Sequence, residues 1–129
     1  MVEIMIKINR AHIFELLDSI SAACLEIKKV LSEHLEKTGN LQYKIDIEKD
    51  MVTLENLKLI IFAVKEDIEK EKSGASTELL LRIAANDFKN KVALIPEKKA
   101  LRKEIMKSLK EVHGYVLHMT RELYSKTSD

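Results

Sequence analysis

Turn-forming residues are nearly missing from this chain. Its 129 residues include three glycines and one proline, Pro96. Turns draw heavily on these residues, so few reversals are expected, and an antiparallel sheet would need many. Cysteine occurs once, at Cys24, which rules out an intramolecular disulfide and suits a reducing compartment. The charges nearly cancel, at +1 overall, which argues against a general polyanion binder but leaves local patches open. The densest apolar patch, "LKLIIFAV", falls well short of the roughly 18 residues that suggest a membrane span. The start, "MVEIMIKINRAH", has neither the long apolar centre nor the cleavage site of a secretory signal. These absences predict a cytoplasmic chain without a membrane anchor.

The composition that remains favours helix. Apolar residues make up 46% and charged residues 33% of a chain rich in Lys, Glu, Leu, Ile and Ala. The length fits one domain, residues 1–129, able to bury its own core. A first helix is expected over about 10–36, with Asn9 as its N-cap. On it Ile13, Ile20 and Ile27 repeat every seven residues, with Leu16/Leu17, Ala23/Cys24 and Val30/Leu31 between them. "KTGN" at 37–40 reads as its stop. A second helix is expected over about 43–72. Ile47, Leu54, Ile61 and Ile68 repeat, Met51, Leu57 and Val64 lie between, and Leu59, Ile60 and Phe62 widen the stripe. A helix apolar on more than one side needs more than one neighbour, so it is expected at the centre of a bundle or at an oligomer interface.

The third and fourth segments depend on Pro96. Leu80, Ile83/Ala84, Phe88, Val92 and Ile95 recur at helical spacing before it. Ile105, Val112 and Met119, with Leu109, Val116 and Leu123, recur after it. Proline inside a helix costs about 3 kcal/mol but is tolerated at the first helical position. A break gives helices over about 76–94 and 97–126; a kink gives one long helix. The expected class is therefore an all-α antiparallel bundle of three long or four helices.

No chemical motif stands out. Three isolated glycines cannot form a phosphate loop. Cys24 lies on the apolar seam and reads as a small buried hydrophobe. His118 and Glu122 share a helix face, but two ligands make no metal site. His34 in "HLEKTGN" has Lys37 and Gly39 after it. Four-helix phosphotransfer domains instead place the glycine directly after the lysine and the histidine in mid-helix. No catalytic residue, cofactor or metal is expected.

Charge is unevenly spread. Residues 89–110 carry eight Lys or Arg against Glu97 and Glu104, whereas residues 45–78 carry nine acidic groups against five lysines. Lys99, Lys103, Lys107 and Lys110 form one stripe. That stripe is a candidate site for an acidic protein or for nucleic-acid phosphates. Residues 89–110 contain a single arginine and no aromatic residue, so the usual base-reading and stacking groups are scarce there. The alternative is a solvated face that complements the acidic second helix, within one chain or between chains.

In order and length, "IFELLDSISAACLEIKKVLSEHLEK", the second helix and "IPEKKALRKEIMKSLKEV" are loosely similar to the flagellar export chaperones of the hook-associated proteins. Those are small helical proteins that bind C-terminal helices of secreted subunits. The likeness implies a helical fold and a protein partner; it assigns no site residues.

The functional expectation is a non-catalytic protein-interaction module, acting on a protein partner or by self-association, including a homodimer. Leu59, Ile60 and Phe62 are the candidate hydrophobic partner site, although side chains of this kind more often belong to a core. A nucleic-acid accessory protein using the lysine stripe is the alternative.

Overall fold

The computed structural model describes residues 2–70, 74–91 and 99–127, with side-chain surroundings for 10–70, 74–89 and 99–121. Four helices follow in order: α1 (Val2–Lys37), α2 (Leu41–Glu69), α3 (Ala75–Lys91) and α4 (Lys99–Thr127). Each packs on two neighbours, α1 on α2 and α4, α3 on α2 and α4, so the helices occupy the corners of a closed four-membered bundle.

Paired side chains show that neighbours run antiparallel. Between α1 and α2, His34 meets Tyr43, Lys28 meets Glu55, Asp18 meets Lys65 and Arg10 meets the Glu69 carbonyl. One number rises as the other falls. Between α3 and α4, Glu78 meets His113, and the Lys89 carbonyl accepts from Arg102. The segments before and after Pro96 thus lie side by side, so the bundle has four helices, not a long kinked third one. Pro96, Val92 and Ile95 themselves lie outside the described residues.

Helix boundaries differ from expectation where capping was misread. α1 begins by Val2, and Asn9 lies within it. Nothing between Val2 and Arg10 breaks a helix, and extending an established helix adds one hydrogen bond per residue fixed. Asn40 does not merely end α1; its side chain accepts from the Tyr43 N–H at 3.0 Å and starts α2 two residues earlier than expected. α2 ends at Glu69, where the Arg10 guanidinium donates to the Glu69 carbonyl at 3.1 Å. A cation there satisfies a terminal carbonyl and complements the helix dipole. α3 starts at Ala75. Thr77 Oγ1 accepts from the Gly74 N–H and donates to Asp67 Oδ2 at 2.9 Å, tying the start of α3 to the end of α2.

The core is the set of inward seams. α1 buries Ile13, Leu17, Ile20, Cys24, Ile27 and Leu31, so Leu17, Cys24 and Leu31 face inward while Leu16 and Val30 are half-buried. α2 buries Ile47, Leu54, Leu57, Ile61, Val64 and Ile68 at alternating steps of three and four. That series passes through Asp50, 3% exposed, and leaves Met51 half-buried. On α3 the inward residues are Thr77, Leu81, Ala84 and Phe88, not Leu80 or Ile83. α4 contributes Ile105, Leu109, Val112 and Val116. Among the described residues no buried side-chain nitrogen or oxygen lacks a hydrogen-bond partner, and no helix is long and apolar enough to cross a membrane.

Candidate functional site

α2 is a corner of the bundle with two neighbours, not its centre. Leu59 and Phe62, apolar residues in excess of its seam, are therefore not covered by any described helix. Leu59 and Phe62 are 67% and 68% exposed, and Val52 is 59% exposed. They lie outside the core. Ile60 differs from them: it is half-buried against the core and lines a groove between α2 and α3 with Leu57 and Ala84. The three candidate residues thus separate into two that face outward and one that faces α3.

The outward residues belong to a second, regular series. Glu48, Val52, Glu55, Leu59, Phe62, Glu66 and Glu69 follow one another at steps of four and three. Those steps return to the same helix face. No cation stands in this series. Glu55 is held by Lys28 of α1, and Glu66 by Lys70 at 3.0 Å. The Lys28 ammonium keeps the Glu55 carboxyl below its ordinary range. Surface pairs of this kind are weak and open to exchange. The outer face of α2 is therefore an apolar ridge bordered by carboxylates.

Across the bundle, α3 and α4 enclose a furrow of about 490 Å³. Leu81, Ala85, Met106 and Leu109 form its floor; Arg82, Lys107, Lys110 and His113 rim it. Lys107 and Lys110 are exposed, as are Lys99 and Lys103, so all four stripe residues face solvent. Because α2 and α4 stand at opposite corners, the lysine stripe does not complement acidic α2 within one chain.

One polar group at the furrow was not foreseeable. His113 Nε2 lies 2.8 Å from Glu78 Oε1, joining α4 to α3. Arg82 reaches the other oxygen of Glu78 at 3.4 Å. The hydrogen bond to His113 holds the Glu78 carboxyl below its ordinary range. The two residues are 35 positions apart, and no local pattern joins them. Cys24 is fully buried, and burial pushes its thiol up to about 12. His34 sits at the end of α1 near the Tyr43 hydroxyl, at 3.4 Å, where it helps hold the α1–α2 turn. His118 is exposed, and the side chain of Glu122 lies outside the described residues. Among the described residues no group of three His, Cys, Asp or Glu side chains is placed to hold a metal ion. No family model, curated protein or solved structure matches this chain.

Proposed function

We propose that this chain is a non-catalytic helical interaction module, working as an adaptor, a secretion-type chaperone or a subunit of a complex, and that it docks through the outer face of α2. The observation that carries this reading is the exposure of Leu59 and Phe62, at 67% and 68%, on a helix whose opposite face already supplies the core. Large apolar side chains on a regular outer stripe cost solubility unless something covers them. The single buried thiol suits a reducing compartment, which supports a cytoplasmic location.

The test is the double variant L59K/F62K. Both side chains are exposed, so its helicity and melting temperature should stay near those of the parent. Its recovery of protein partners, itself included, from the native cell should fall at least tenfold. Equal recovery by both proteins, identified by mass spectrometry, would sink the proposal.

The alternative is a nucleic-acid accessory protein whose Lys99, Lys103, Lys107 and Lys110 neutralise phosphates. It is favoured by the exposure of all four on one stripe. Such binding weakens steeply with salt and with charge reversal at Lys99, Lys103 and Lys107. A polarisation assay at low salt with single- and double-stranded DNA and RNA that shows no binding removes it.

A further inference from the structure

The molecule carries two surfaces that match each other. The ridge on α2 is convex, apolar along Val52, Leu59 and Phe62, and bordered by Glu48, Glu55, Glu66 and Glu69. The furrow between α3 and α4 is concave, floored by Leu81, Ala85, Met106 and Leu109, and rimmed by Lys107 and Lys110 and by Arg82 and His113, which also hold the Glu78 carboxylate. A single helix face laid between two helices of another body is a common mode of recognition. Here apolar surface would meet apolar surface, and carboxylates would meet Arg82, Lys107 and Lys110.

The two surfaces cannot meet within one chain. The ridge runs along the outer face of α2, from Val52 at the edge of the groove toward α3 to Glu55, which meets Lys28 of α1. The furrow lies across the bundle, between α3 and α4. We propose that the occupant of the furrow is the α2 ridge of a second copy of this chain. This proposal rests on the reading of α2 as a docking face and names its partner. The interface is heterologous: each copy offers a ridge to one neighbour and a furrow to another. Such contacts grow into chains or close into rings rather than stopping at a two-fold dimer. The charged borders steer the approach and fix which surface meets which, while the apolar strip is desolvated.

Sedimentation of the purified chain over a range of concentration and salt is the test. The mass should rise with concentration beyond that of a dimer, or settle at that of a ring, and should fall as salt screens the borders. L59K/F62K lacks the ridge, and K107E/K110E lacks the basic rim. Each alone should be monomeric with unchanged helicity. Mixed in equal amounts they should form a one-to-one dimer and nothing larger, because one intact ridge and one intact furrow remain.

A wild-type chain that stays monomeric throughout overturns the proposal. So does a mixture that stays monomeric, or K107E/K110E associating as the parent does, which would mean ridge against ridge. If the wild type is monomeric while L59K/F62K still loses its cellular partners, the self-pairing fails and the docking reading stands. If L59K/F62K associates like the parent and keeps those partners, both fail.

Discussion

Three residues carry more than their types suggest. Thr77, 1% exposed, accepts from Gly74 and donates to Asp67, so it caps one helix and anchors it to the previous one. Thr77→Val keeps the shape and removes both hydrogen bonds. Loss of a cap and an unsatisfied backbone N–H cost about 1–3 kcal/mol together, readable in urea or thermal unfolding. Glu78 links α3 to α4 through His113, and its carboxyl is held below the ordinary value of 4.5. A depressed folded-state value means that the unfolded chain takes up a proton first as pH falls. The stabilisation is therefore present above the ordinary carboxylate range and is lost as pH falls through the lower folded-state value. The melting temperature of the parent should fall on acidification through that window, and Glu78→Gln should fall less steeply across it. Cys24, with its thiol raised to about 12, should react with a thiol reagent only as fast as the bundle opens, and at once in denaturant.

At the scale of an element, α2 is the helix that the chain's own packing explains least. Its two faces are both apolar, one at Leu54 and Leu57 and the other at Val52 and Leu59. Spacing identified the helix, its seam and the extra residues Leu59, Ile60 and Phe62, but it missed Val52 and could not say which residues face inward. Neither could it say that a carboxylate, Asp50, occupies an inward position while Met51 stands beside it half-buried. Periodicity fixes angles between side chains on one helix; the rotation of that helix against its neighbours is a tertiary quantity. The two faces separate experimentally. Leu54→Ala, at a residue with no exposure, should cost about 2–5 kcal/mol. Leu59→Ala should change stability by no more than about 0.5 kcal/mol. Equal costs measured by chemical denaturation would mean that α2 is rotated from the arrangement described. The same limit applies to caps. Asn40 was visible as a helix-ending residue, yet its role is to begin the next helix, which only its hydrogen bond to Tyr43 decides.

For the whole molecule, arrangement decides what the charges can do. An acidic α2 and a basic α4 invite the idea that they neutralise each other in the fold. The closed order α1–α2–α3–α4 sets them at opposite corners and removes it. Charge reversal at Lys99 and Lys103 should therefore leave the melting temperature within a few degrees of the parent, since exposed surface charges contribute little. A fall of tens of degrees would show that the lysines hold the fold together.

Local patterning was enough for the four helices, once Pro96 is read as a break, and for the seven-residue spacing of the α1, α2 and α4 seams; on α3 it pointed to Leu80 where Leu81 faces inward. These follow from local rules: few turn residues, strong helix formers and apolar groups at helical intervals. Only the tertiary structure decided that α2 stands at a corner, that Leu59 and Phe62 face outward while Ile60 faces α3, and that His113 meets Glu78. The physical reason is that each of these depends on which surfaces the other helices cover, and that coverage is set by packing among segments far apart in the chain.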